Sequence, residues 1–225
     1  MTALALDTRR EFLATTLPDE PDERFLRPTL IIDSDHPSVI ACTEEVILGK
    51  SGDIERAVAL FYFVRDQVRY NLFVPRELPE HFKASRTLEN REGYCVMKAA
   101  LLAAMARVAG IPAGLGFARI RNWQLPEKTL QRLKTNILPF HGYTELYLGD
   151  RWVKATPAWD AGLCDRLGSF TVEFDGRSDA MLPAANRAGA WLVQYLQDLG
   201  HYDDVPLNTL WTALEETYGS RTLAR

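Results

Sequence analysis

Cysteine, histidine and uninterrupted apolar sequence are all scarce in this chain of 225 residues. The three cysteines, Cys42, Cys95 and Cys164, make no even, regularly spaced set. A disulfide framework is therefore not expected, and a reducing, cytoplasmic setting is. His36, His81, His141 and His201 are scattered, with no i, i+4 pair and no Cys-x-x-Cys beside them. The spacing of a zinc site is missing, so neither a metal nor another cofactor is expected. No apolar run reaches the ~18 residues that a membrane span needs. Met1–Leu6 is too short for a signal peptide, because Asp7, Arg9 and Arg10 follow at once. The net charge of −4 is small and dispersed, and no basic block interleaves with aromatics. Nucleic acid is thus not an expected partner, nor is a membrane. Gly49-Lys50-Ser51 imitates the end of a phosphate-binding loop, but Glu44 stands where its first glycine belongs. No internal repeat or low-complexity tract divides the chain.

What remains is an ordinary globular composition, 47% hydrophobic and 25% charged, enough for one well-filled core. Its most informative stretch runs from Cys95 to Ala109, where only Lys98 and Arg107 are charged. Strong helix formers fill it, Gly110 suits a left-handed C-terminal cap, and Pro112 blocks continuation. Cys95 should therefore open a buried helix, directly after Gly93-Tyr94. Free backbone N–H groups and the positive end of the helix dipole favour a thiolate at that position.

Downstream, Ala113–Ile120 reads as a strand, and Gly149-Asp150 joins two further alternating runs. With glycine first, a type II′ hairpin is expected. Its register places Tyr147 opposite Trp152, Glu145 opposite Lys154, Tyr143 opposite Thr156 and His141 opposite Ala158, all on one face. His141 would then be a diagonal neighbour of Thr156 and, if the strand continues past Pro157, of Asp160, at about 7–8 Å. Either side chain can orient the imidazole.

The remaining elements are coarser. A short helix is expected within residues 1–35, and helices over Pro37–Leu48 and Asp53–Tyr70, the latter with Asp53 as its cap. A strand is expected within Asp165–Gly176, and helices over Asn186–Leu199 and Leu207–Tyr218. The connection from Arg121 to Phe140 is long for a compact domain; it is either one wall of a cleft or a surface helix.

Gly-Tyr-Cys95 on a helix, Gly110-Ile-Pro112, His141-x-Tyr-x-Glu145 and Trp152-Val-x-x-Thr-Pro157 together resemble the transglutaminase-like superfamily of papain-fold cysteine enzymes. Phe63–Tyr70 and Ala84–Leu88 resemble the segments before that family's cysteine, so the resemblance covers residues 25 to 160. It implies an α+β, papain-like domain in which the Cys95 helix packs on an antiparallel sheet. It also implies one domain over 1–225, with its core in 25–160 and a helical extension over 161–225.

By the same resemblance Cys95 is the nucleophile and His141 the general base. The third residue, usually an aspartate four places after the tryptophan, maps onto Thr156, with Asp160 as the alternative source of charge. Tyr94 and Tyr143 are candidate substrate contacts, Tyr94 through a hydroxyl able to donate to an oxyanion. A cysteine thiol paired with an imidazolium has its pKa lowered to about 3.5–7.5, so a pre-ionised pair is expected. The implied chemistry is acyl transfer or amide hydrolysis on a peptide, protein or small acyl or amine substrate. The alternative is a catalytically weak domain that keeps the fold and binds a peptide or protein.

Overall fold

A computed structural model describes residues 16–221. The short helix expected near the start falls partly on residues 1–15, outside the described residues. Within 16–35 there is a single 3-10 turn, Glu23–Phe25. Helix α1 (Pro37–Val46) opens on its proline, and Gly49 beyond it takes a positive φ of 74°. Helix α2 (Gly52–Gln67) begins one residue before the expected Asp53 cap. Ser51 occupies the cap position, and its backbone N–H is taken by the Glu55 carboxylate at 2.8 Å. Helix α3 (Ala84–Asn90) lies between two short strands, β1 (Arg69–Tyr70) and β2 (Glu92–Gly93), which pair in parallel.

Helix α4 (Cys95–Val108) is the axis of the domain. Every residue from Cys95 to Arg107 is buried, as an all-round apolar helix must be. Its two charges are satisfied in place. Lys98 donates to the carbonyls of Arg65 and Val68, which close α2, and Arg107 donates to those of Ala113, Arg27 and Asp203. Against α4 lies an antiparallel sheet of β3 (Ala113–Asn122), β4 (Ile137–Tyr147), β5 (Trp152–Ala155) and β6 (Val193–Tyr202), in the order β5-β4-β3-β6. Thr144 on β4 ties sheet to helix through its hydroxyl, 2.9 Å from the carbonyl of Ala99.

The hairpin register holds for Tyr147 with Trp152 and for Glu145 with Lys154. Two details differ. Gly149 and Asp150 both have positive φ, 58° and 61°, which is the type I′ combination rather than II′. The ladder also ends at Thr144 with Ala155, so Tyr143 does not pair with Thr156, nor His141 with Ala158. Thr156 instead donates its N–H to Ala180 at 2.9 Å, and the chain turns away from β4 before Pro157.

The C-terminal third departs most from expectation. No strand forms within Asp165–Gly176; a short helix α6 (Ala161–Arg166) precedes irregular chain there. The helix expected over Asn186–Leu199 is replaced by strand β6, while α7 (Leu207–Tyr218) forms as expected. Trp191, Leu192, Tyr195, Leu196 and Leu199 repeat at helical spacing, but pairing with the free edge of β3 overrides that local preference. The region after residue 160 therefore adds the edge strand β6 to the sheet as well as helices α6 and α7, and is not a purely helical extension. The long 121–140 connection divides into the end of β3, helix α5 (Glu127–Leu133) and the start of β4.

Candidate active site

Cys95 is placed by a sharp change of direction. Arg91 ends α3 in the left-handed region at φ 51°, and the β1–β2 pairing carries the chain through Gly93 into α4. Gly93 has to be small, because a Cβ there would meet Cβ of Met97 at 3.0 Å and Cγ2 of Thr87 at 3.1 Å. Tyr94 stands at the cap position but its side chain caps nothing. The backbone N–H groups of Cys95 and Val96, and that of Gly142 on β4, instead lower the pKa of the Cys95 thiol. Cys95 is only 4% exposed.

His141 precedes that same Gly142. Because β5 leaves after Ala155, the β4 backbone at 141–143 has no β5 partner. Residues alternate along β4: Gly142 and Thr144 face α4, so His141, Tyr143 and Glu145 lie on the other face. His141 is 1% exposed, pairs with Ala118 of β3, and places Nε2 3.4 Å from the hydroxyl of Tyr195 on β6. The Tyr143 ring lies flat across β3, where a Cβ on Gly116 would come within 2.2 Å of it. Glu145 makes no ion pair with Lys154, its neighbour in the register. Its carboxylate bonds Nδ1 of His201 at 2.8 Å, and Lys154 sits over the Tyr143 ring.

Of the two candidates for the third position, only Thr156 is near the histidine's partners. Its hydroxyl lies 3.5 Å from Sδ of Met181 and interacts with the hydroxyl of Tyr195. The role offered to Asp160 is corrected. Its Oδ1 accepts from the N–H of Leu163, capping α6, and its Oδ2 accepts from the N–H of Tyr70. Those two bonds hold its carboxyl below the usual range against the opposing effect of burial, and no carboxylate among the described residues bonds the His141 ring.

Burial dominates the electrostatics. It pushes the Cys95 thiol up, opposed by the N–H groups of Gly142 and Val96 and by the Arg76 guanidinium. It pulls His141 down to about 3, with no charge to counter it. Burial thus disfavours the charged form of each group, which works against the expected thiolate–imidazolium pair. Tyr94 stacks under Arg76, whose guanidinium carbon is 4.3 Å from the ring centroid; the Tyr94 hydroxyl is buried without a hydrogen-bond partner. Tyr70 and Tyr218 complete the surroundings, each in electrostatic contact with Cys95.

Sequence reasoning passed over Arg76, Tyr70, Tyr195 and Tyr218. Arg76 sits in an irregular segment with no motif, and Tyr195 sits in the stretch read as a helix.

A buried helix led by a cysteine, packed on an antiparallel sheet that carries a histidine, defines the papain-like class of α+β domains. The chain belongs to the transglutaminase-like superfamily, whose family model matches residues 40–157. Among solved structures it is similar to a candidate cysteine protease of Cytophaga hutchinsonii, at 18% identity and a TM-score of 0.53, over 88% of this chain and 53% of that one. It is also similar to the periplasmic domain of TgpA from Pseudomonas aeruginosa, at 20% identity and a TM-score of 0.43, over 62% of this chain and 48% of that one. The chain thus spans about half the length of each of these proteins. No curated protein matches the sequence.

Proposed function

We propose that this domain is a thiol-dependent acyl-transfer or amide-hydrolysing enzyme in which Cys95 is the nucleophile and His141 the base. The observation that supports it is the convergence on one sulfur of three backbone N–H groups, from Cys95, Val96 and Gly142, with His141 next to the last of them. Such donors stabilise negative charge on sulfur as it develops, and those of the helix mouth can serve the oxyanion of a tetrahedral intermediate. Because burial disfavours both charges, the thiol proton passes to His141 as sulfur attacks the acyl carbon. His141 then returns it to the leaving amine or alcohol, and water or an amine takes the acyl group from sulfur. Tyr94, whose hydroxyl has no hydrogen-bond partner among the described residues, is an additional donor. Tyr143, Lys154 and Tyr195 border an open cavity of about 420 Å³ on the histidine's face of the sheet.

The experiment uses p-nitrophenyl acetate and mass spectrometry of the intact protein. An acetyl thioester on Cys95 is expected, absent in Cys95→Ala and formed about 10²–10⁴-fold more slowly in His141→Ala. The near-complete closure of Cys95 and His141 supports the second reading, a binding module that keeps the fold. Absence of any Cys95 adduct, or a rate indifferent to His141→Ala, selects that reading.

A further inference from the structure

We propose that Arg76 binds the substrate of this site: its guanidinium receives a carboxylate that the acyl group carries close to the bond to be broken. This role rests on the Cys95–His141 reading and gives it a substrate class.

Arg76 lies in the irregular stretch 71–83 between β1 and α3, and it is only 1% exposed. A guanidinium keeps its charge in a folded protein, so its burial has to be compensated. The other buried arginines are compensated. Arg65 meets the carboxylates of Asp66 and Glu173. Arg107 donates from Nε, Nη1 and Nη2 alike, to the carbonyls of Ala113, Arg27 and Asp203. Arg76 has less. Its Nε lies 3.4 Å from the carbonyl of Val74 and its Nη2 donates to that of Leu72, while Nη1 has no acceptor and the guanidinium no carboxylate among the described residues. Glu77, the next residue, directs its carboxylate to the backbone N–H of Arg76 and to Nδ1 of His81.

Beneath the guanidinium is the Tyr94 ring, its centroid 4.3 Å from the central carbon. Tyr94 directly precedes the nucleophile, and its own hydroxyl is buried without a partner. A cation and a phenol, both short of an acceptor, thus stand together at the mouth of α4. What each lacks is an oxygen with free lone pairs. A carboxylate supplies two such oxygens in one plane, the shape that a guanidinium binds best. One guanidinium also balances one negative charge, which suits a carboxylate better than a phosphate carrying nearly two.

Position limits the substrate further. Cys95 is the neighbour of Tyr94 in the chain, so an acyl carbon on its sulfur lies within a few bonds of a carboxylate held over the Tyr94 ring. Aspartyl, glutamyl and other dicarboxylic acyl groups have that form.

The test compares mono-p-nitrophenyl glutarate with its methyl ester, which has nearly the same length and no charge. Each forms a thioester on Cys95 as the carbon–oxygen bond to nitrophenolate breaks. The wild type is expected to show kcat/KM at least about tenfold higher for the charged ester, with the difference in KM. Arg76→Gln should bring that ratio close to one, and Arg76→Lys should retain part of it. A merely structural role would slow both esters alike and leave the ratio in place. A second measurement needs no turnover: alkylation of Cys95 by iodoacetate relative to iodoacetamide, read by peptide mass spectrometry, should fall about tenfold or more in Arg76→Gln. A wild type indifferent to the charge of the ester overturns the assignment, and so does a preference that survives Arg76→Gln. Failure of the underlying reading looks different. Neither ester then acylates Cys95, or both ignore His141→Ala, while the iodoacetate preference and its loss in Arg76→Gln still report the anion site.

Discussion

The α-carbon of Val96 lies where a side chain on Gly142 would begin, 3.0 Å from the position of its Cβ. This close approach of helix backbone to strand backbone is what brings the Gly142 N–H to the Cys95 sulfur. A methyl group there must push α4 away from β4, since it meets backbone on one side and the Phe117 ring at 3.2 Å on the other. Gly142→Ala is expected to cost about 1–3 kcal/mol in urea unfolding. It should also slow Cys95 acetylation at temperatures where the variant is fully folded. Wild-type acetylation in a destabilised variant would show that the Gly142 contact is packing only.

His141 makes stability depend on acid. Its folded pKa of about 3 lies below the ordinary 6.5, so between those values the unfolded chain binds a proton that the folded chain refuses. Stability from this group is full above pH 6.5 and falls by about 1.4 kcal/mol for each unit below it. Between pH 7 and pH 5 the wild type should lose about 2 kcal/mol more than His141→Gln, and the subtraction removes the contribution of His201. Parallel losses in the two proteins would mean that His141 is solvated or charged in the folded state.

Lys98, one turn beyond Cys95, holds the last carbonyls of α2 from inside the core, and burial pulls its ammonium down to about 7. Lys98→Met leaves both carbonyls of that end unpaired, at an expected cost of about 1–3 kcal/mol near neutrality. The sign of its pH dependence follows from the lowered pKa. Above pH 7 the unfolded lysine keeps a proton that the folded one releases, so the wild type gains stability relative to Lys98→Met as pH rises from 7 toward 10. Denaturant titrations of both proteins at pH 6 and pH 9 check it, and a cost that shrinks at pH 9 would contradict the assignment.

Asp160 serves the backbone and not the imidazole. Asp160→Ala frees the N–H groups of Leu163 and Tyr70 and should cost about 0.5–2 kcal/mol, as the loss of an N-cap does. The pH profile of Cys95 acetylation should stay where it is in the folded variant. A loss near 10²-fold would restore the carboxylate to the histidine.

The parts legible in the sequence were those whose physics is local. The Cys95 helix carried its own evidence, with formers throughout and Gly110 at φ 79° after it. So did the hairpin at Gly149-Asp150, whose pairing register follows from alternation and a two-residue turn, although the turn type did not, since Asp150 also adopts a positive φ. Where a neighbour remote in sequence decided the outcome, local reading failed. Val193–Tyr202 has helical spacing and became a strand because β3 had an unpaired edge to offer. With it went Tyr195, which carries no motif and acquires its partner only when β6 is in place.

The sequence by itself determined that a cysteine would open a buried helix and that a histidine would stand on a strand of the sheet behind it, because helix and strand periodicity and capping act over a few residues. The tertiary structure alone decided what those two groups experience. The departure of β5 after Ala155, the passage of Tyr195 across β3 and the exclusion of water around His141 depend on contacts between segments far apart in the chain. Hydrogen-bond direction and desolvation, which set protonation, exist only once those segments meet.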